Sequence, residues 1–435
     1  MSYWFNELPS DWNVVKVKNV FNMISGGTPK SDIEEYWSDS EVIWVTPEDL
    51  SKEGKYLNDS IRKISNLGLQ NCSANVIKAN SIVVSTRAPI GNVKVSTVPF
   101  TTNQGCKSLE AKGKVNITYY YYVIALAKEH LNNLGQGTTF LELSNYSLKN
   151  VFVPYPDINL QDLIAYYLDT KCNQIDELIV AKKKQISLLE QQRQSIITEA
   201  VTKGLNPNVK MKDSGVEWIG EIPEHWEVTK IKYTTYVKGR IGWQGLKSDE
   251  FIDKGPFLVT GTDFLQGYVN WDTCYHISEK RYNEAPPIQL QENDLLITKD
   301  GTIGKLAIVK EMPYKAILNS GVFVTRPFLN KYLSKYMYWL LSSAIFDKYI
   351  KFMETGSTIK HLYQETFVNF SYPIPSTVEQ TEILNYLDIK IGEIDSIKSN
   401  LVKQIEKLKE YRQALIYEAV TGKIDVRDME LDEVR

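Results

Sequence analysis

Residues 8–18 read LPSDWNVVKVK, and residues 222–232 read IPEHWEVTKIK, nearly the same phrase 222 − 8 = 214 positions later. A single core needs one opening, so the repetition points to two similar units, and the rest of the chain follows suit. IVVSTRAPIGNVKV (82–95) aligns with LLITKDGTIGKLAIV (295–309), TNQG (102–105) with LNSG (318–321), GTT (137–139) with GST (356–358) and VPYP (153–156) with YPIP (372–375). YLDTKCNQIDELI (167–179) then matches YLDIKIGEIDSIK (386–398), and ITEAVT (197–202) matches IYEAVT (416–421). The offset is 295 − 82 = 213 and 318 − 102 = 216 in the middle of the unit, and 372 − 153 = 219 from there on. Insertions thus fall in the front of each unit, as suits a surface of variable loops. The gapless back suits a helix whose register matters.

The back of each copy carries helix signals. Asp157 and Ser376 stand at the same repeat position as N-caps, and Ser376 with Glu379 forms a capping box. A seven-residue spacing follows, with Ile175, Ile179, Lys182, Ile186, Leu189, Arg193, Ile196 and Ala200 on one seam. Ile394, Lys398, Leu401, Ile405, Leu408, Arg412, Leu415 and Ala419 form the other, six of eight apolar in each. The two helices are expected to pair with each other, antiparallel. Asn173 and Gly392 suggest a change of direction near 169–173 and 388–392. Roughly thirty residues of helix beyond that point would span about 45 Å, a little over one turn of B-DNA. Arg193 and Arg412 interrupt the seams at matching places and are expected to reach carboxylates or a partner surface.

The expected fold class is therefore α+β: two similar globular units separated by two long antiparallel helices, pseudo-twofold symmetric. The division is 1–157 and 206–376 for the units, with a central helical region at 158–205 and a C-terminal one at 377–435. At 435 residues the chain exceeds one ordinary core, and 43% hydrophobic with 24% charged residues argues against disorder. A formal charge of −3 gives no global sign of nucleic acid, so DNA binding must rest on local groups. Four scattered cysteines, Cys72, Cys106, Cys172 and Cys274, make neither a CxxC zinc pattern nor a disulfide framework. With no apolar leader in residues 1–20 and only YYYYVIALA (119–127) as an apolar run, a cytoplasmic protein away from the membrane is expected.

Enzymatic motifs are missing from the sequence. DGTIGKL (300–306) has the wrong glycine spacing for a phosphate loop, and no HExxH, GxSxG or adenine-methyltransferase Asp/Asn-Pro-Pro-Tyr/Phe phrase occurs. His130, His225, His276 and His361 are scattered, and no metal site is selected.

The xPxxWxxxKxK openings, TRAPIG, GTTF and the doubled YLDxKxxxID…QxxxLxxxRQxxIxEAVT phrase make the chain resemble the DNA-specificity subunit of type I restriction-modification systems. The resemblance implies two target recognition domains, each reading one half of a split, asymmetric double-stranded DNA site. It also implies a non-catalytic chain. Modification subunits, two of them, would bring S-adenosylmethionine and methylate adenine, and restriction subunits would bring ATP-driven translocation. No cofactor is expected on this chain itself.

The expected DNA-binding residues lie in glycine-shaped polar loops at matching repeat positions. They are Thr28, Lys30, Arg87, Lys94, Gln136, Thr138 and Thr139 in the first unit. In the second they are Arg240, Trp243, Gln244, Lys247, Lys299, Lys305, Ser357, Lys360 and His361. Lys183, Gln192, Lys403 and Lys409, on the helices, are expected to meet the modification subunits. Trp12 and Trp226 are expected to be core or hinge anchors. The alternatives are a scaffold or silent copy that no longer reads DNA, and an enzyme acting alone.

Overall fold

The computed structural model describes residues 3–38, 41–137, 141–240, 246, 248–353 and 361–427. The chain forms two compact units, one of Met1–Lys182 with Lys403–Arg435, the other of Lys183–Val402. Each unit takes part of both long helices, so the units do not follow the linear order of front and back segments.

In the first unit a five-stranded sheet runs in the order Phe21–Ser25, Cys106–Ala111, Ser81–Ser85, Val93–Ser96, Tyr56–Leu57. All its pairs are antiparallel except the last. Ser81–Ser85 is SIVVS and buried along its whole length, which is why β-branched residues fill it without polar alternation. The second unit repeats the plan in six strands: Thr235–Gly239, Val322–Pro327, Leu295–Thr298, Leu306–Ile308, Tyr268–Val269, Phe264–Leu265. A two-stranded ribbon joins the opening phrase to the proline phrase in each unit, Asn13–Lys16 with Phe152–Tyr155 and Glu227–Lys230 with Ser371–Ile374.

The sequence offsets reappear as strand register. Asn13 faces Tyr155 and Glu227 faces Ile374, so the two partners have moved by 227 − 13 = 214 and 374 − 155 = 219. Ile82 faces Leu109 and Leu295 faces Thr325, shifts of 295 − 82 = 213 and 325 − 109 = 216. The insertions therefore lie between paired strands and leave the pairing intact, as a one-residue slip inside a buried strand would not.

The long helices are Ile158–Lys203 and Thr377–Val420, 46 and 44 residues. The N-caps form as expected: Asp157 Oδ1 accepts from Asn159 and Leu160, and Ser376 and Glu379 make the capping box. All sixteen seam residues are buried or half-buried. Within the first unit Arg412 pairs with Asp176, and Lys182 Nζ donates to Gln404 Oε1 at 2.6 Å. Within the second, Arg193 meets Asp395 at 3.6 Å and Lys398 pairs with Glu190. In each unit the partner number falls as the residue number rises, so the segments run antiparallel. The seam arginines reach carboxylates as expected, each the repeat counterpart of the other.

The expected change of direction does not occur. Both helices run straight through 169–173 and 388–392. Gly392 sits on an open helix face with no atom near its missing Cβ. A glycine there costs about 1 kcal/mol, and burial of Leu387, Ile391 and Ile394 on the opposite face outweighs it.

Each opening phrase receives the end of a long helix. Gly204 ends the first helix at φ +70°, and a Cβ there would lie 3.1 Å from Trp226 Cζ2. Gly422 ends the second at φ +70°, with Trp12 Cζ2 at 3.0 Å and Pro9 Cγ at 2.5 Å from such a Cβ. Only glycine meets both demands, left-handed backbone and an indole packed against it. The aromatic helices complete the sockets: Tyr119 donates to the Val420 carbonyl at 3.3 Å, and Tyr336 to the Val201 carbonyl at 3.3 Å. These bonds satisfy carbonyls that a helix end leaves unpaired. Trp12 and Trp226 are thus the anchors expected of them. In the link between helix and second front segment, Met211–Asp213 pairs with Glu221–Pro223, a ribbon that the polar sequence did not suggest.

Glu379 ties the socket of the second unit to its helix. Its Oε1 accepts from Trp226 Nε1 at 3.1 Å and lies 2.7 Å from His225 Nε2, while Oε2 accepts from Ser376. Burial pushes its carboxyl upward, but the bonds from His225, Trp226 and Ser376 outweigh it and hold it down to about 2. A carboxyl depressed on folding adds stability that is full above its unfolded value, near 4.5, and fades as pH falls toward 2. Glu379→Gln should therefore be less stable than the parent at pH 6, with the gap closing between pH 4.5 and 2. Urea midpoints measured across that range check it; a gap of constant size would show that the carboxylate is not the cause.

Candidate nucleic-acid interface

At one end of each main sheet three loop segments meet on a shared backbone frame. In the first unit the Thr86 N–H donates to the Gly105 carbonyl at 2.8 Å, and the Leu143 N–H donates to the Thr86 carbonyl at 2.8 Å. In the second, Lys299 donates to Gly321 at 2.9 Å and Leu362 donates to Lys299 at 2.8 Å. These are repeat-equivalent bonds between equivalent phrases, TRAPIG with TKDGTIG and TNQG with LNSG. In the first unit the SGGTPK loop joins them. Gly27 donates to the Thr102 carbonyl at 2.9 Å, and a Cβ on Gly26 would lie 2.1 Å from the Asn103 oxygen, so only glycine permits that approach.

The frame brings together several of the expected contact residues. Thr28 and Lys30 are exposed, and the Thr28 hydroxyl is hydrogen-bonded to Gln104 Oε1. Arg87 is 46% exposed and pairs with Glu142 at 3.2 Å. Gln136 is exposed and exchanges backbone bonds with Glu142, both at 3.0 Å. In the second unit His361 pairs with Asp300. Lys299 lies half covered, its ammonium 5.5 Å from the Phe323 ring centre, and Lys305 Nζ donates to the Gly261 carbonyl at 3.0 Å.

Two cations are turned inward instead. Lys94 is 3% exposed, with Nζ donating to the Gly54 and Glu53 carbonyls at 2.8 and 3.2 Å. Burial and the nearby Lys52 pull its ammonium below the usual lysine range. Arg240 is 4% exposed and donates through Nε to the Leu318 carbonyl at 3.0 Å; burial lowers its pKa too. The sequence showed basic residues in glycine-rich phrases, but the fold turns these two into the protein, Lys94 within the largely buried strand Val93–Ser96 and Arg240 directly after the strand Thr235–Gly239. Thr138, Thr139, Trp243, Gln244, Lys247, Ser357 and Lys360 lie outside the described residues.

Gln104, Glu142 and Asp300 were not picked from the sequence, yet they stand on the frame. Gln104 sits in a quoted repeat phrase, and its amide was a readable signal. Glu142 and Asp300 are acidic, and a search for cations passes over them. Lys183, Gln192, Lys403 and Lys409 are all exposed on the long helices. Among the described residues no three His, Cys, Asp or Glu side chains gather to hold a metal, and no helix is long and apolar enough to cross a membrane.

Two curated relatives, both from Methanocaldococcus jannaschii, match nearly end to end. The type I restriction enzyme MjaIX specificity subunit is 28% identical over 97% of this chain and 96% of its own length. The MjaVIII specificity subunit is 26% identical over 97% and 95%. A solved chain described under complex assembly and conformational transition of the type I R-M system superposes with a TM-score of 0.73 at 16% identity, covering 96% of this chain and all of that one. The HsdS subunit from Thermoanaerobacter tengcongensis shares the fold at a TM-score of 0.51 and 15% identity, over 98% and 100%. The profile of the type I restriction modification DNA specificity domain matches twice, at residues 9–188 and 223–407, once on each repeat. With both repeats matched, the chain belongs to the family of type I restriction modification DNA specificity domains.

Proposed function

We propose that this chain is the sequence-specific DNA-binding subunit of a type I restriction-modification enzyme, reading a bipartite, asymmetric site with one half per unit. The observation that carries it is one backbone frame, built twice from equivalent hydrogen bonds and dressed with different polar side chains. A conserved frame with changed donors and acceptors is what two different half-sites require, because base edges are told apart by their hydrogen-bonding groups. The chain performs no chemistry itself. Two modification subunits dock on the long helices through surfaces that include Lys183, Gln192, Lys403 and Lys409. They carry S-adenosylmethionine, and restriction subunits carry ATP.

Co-expression with the cognate modification subunit, followed by mapping of methyladenine in host DNA, tests the reading. The expected result is one bipartite motif whose halves differ, with one modified adenine in each half. A complex that assembles but marks no motif would leave the chain as a scaffold.

A further inference from the structure

On the shared frame one position has exchanged its charges between units. The residue after Thr86 is Arg87, and the residue after Lys299 is Asp300; each forms an isolated antiparallel bridge, to Glu142 and to His361 respectively. The repeat offsets make these the same two positions, 300 − 87 = 213 and 361 − 142 = 219. In the first unit the cation comes from the TRAPIG loop and the carboxylate from the segment after GTTF; in the second the carboxylate comes from the first loop and the imidazole from the second. Exposures are 46% and 44% for Arg87 and Glu142, and 45% and 32% for Asp300 and His361. Pairs this open contribute little to stability. Folding does not need them at the mouth of the frame.

We propose that these two pairs read one G·C base pair each, in opposite orientations. The inference rests on the DNA-reading function above. An arginine offers only donors and matches guanine O6 and N7, while a carboxylate offers only acceptors and matches the cytosine amino group. Two such side chains held side by side can address both bases of one pair. In free protein each group satisfies the other, Asp300 also having Lys299 Nζ at 3.9 Å; on DNA the pair opens, Arg87 turning to guanine and Glu142 to cytosine. In the second unit Asp300 takes the cytosine and a ring N–H of His361 takes the guanine. Because the acid and the donor have traded places on one frame, the guanine lies on the opposite side of the base pair.

Methylation by the assembled complex, on a set of oligonucleotides carrying every base at every motif position, tests this. The wild type should require a G·C pair at one position of each half. Arg87→Ala should relax selection at that position of one half, by roughly 5- to 150-fold in relative rate, and leave the other half unchanged. The exchange Arg87→Glu with Glu142→Arg should favour the inverted pair there. Asp300→Asn should relax one position in the other half only. The unaffected half serves as the control for folding and assembly, and Glu142→Gln gives a milder second variant. The inference is overturned if these variants keep full selection, if both halves loosen together, or if a half contains no G·C requirement. A wild-type complex with a motif but no change in the variants sinks this assignment alone, whereas a wild type with no motif sinks the DNA-reading function as well.

Discussion

Trp226→Ala should destabilise the second unit by about 3–5 kcal/mol, the range for a large aromatic removed from a packed core. The indole is 1% exposed and shares a core cluster with Ile197, Ala200 and Val201 of the first long helix. Its Nε1 donates to Glu379, and its ring fills the space in front of Gly204. Truncation therefore opens a cavity and removes a partner from a carboxylate at once. For a unit of this size the loss corresponds to a fall in melting temperature on the order of 10 °C. Trp12→Ala, at the same repeat position, should cost clearly less, because that ring is only half-buried. Calorimetry on both variants decides it. Equal losses would mean that burial at the socket does not set the anchor's worth.

Gln380→Leu should cost on the order of 2–6 kcal/mol, for a different reason. Gln380 is 0% exposed and bridges two backbone groups, accepting from Leu333 N–H at 2.8 Å and donating to the Pro375 carbonyl at 3.0 Å. Leucine fills similar space but leaves a donor and an acceptor without partners, at about 1–3 kcal/mol each. The first unit contains the same clamp: Gln161, also 0% exposed, accepts from Asn116 N–H at 3.0 Å and donates to the Pro156 carbonyl at 2.9 Å. Gln161→Leu should therefore lose as much as Gln380→Leu, in contrast to the unequal tryptophans. Urea unfolding of the two variants is the measurement. A loss below about 1 kcal/mol in either would show that water replaces the amide and that the clamp is dispensable.

Much of the fold was legible because the repeat compares the chain with itself. Offsets between phrases became strand registers, since an insertion tolerated by selection falls between paired strands and not within them. The seam was legible because burial on a helix recurs with a fixed period, and all sixteen predicted positions lie in or at the edge of the packing. The expected turn near Gly392 failed because local propensity is weak beside a buried apolar face.

The site was less legible. Arg87, Thr28 and His361 stand on the frame, while Lys94 and Arg240, equally basic and equally close to glycines, are buried. Charge in a sequence does not say which way a residue at a strand end points. The Arg87–Glu142 and Asp300–His361 pairs are separated by 55 and 61 residues, and nothing local announces them.

By itself the sequence determined that there are two like units, how their strands correspond and which face of each long helix is packed. All three are periodic or repeated, so a one-dimensional comparison reveals them. Tertiary structure alone decided that Trp12 of LPSDW packs against Gly422 at the end of the second helix, and that the frame presents opposite charges in its two copies. Those outcomes depend on contacts between residues distant along the chain, formed when apolar surface is buried and backbone groups find partners, and they leave no local trace in the order of residues.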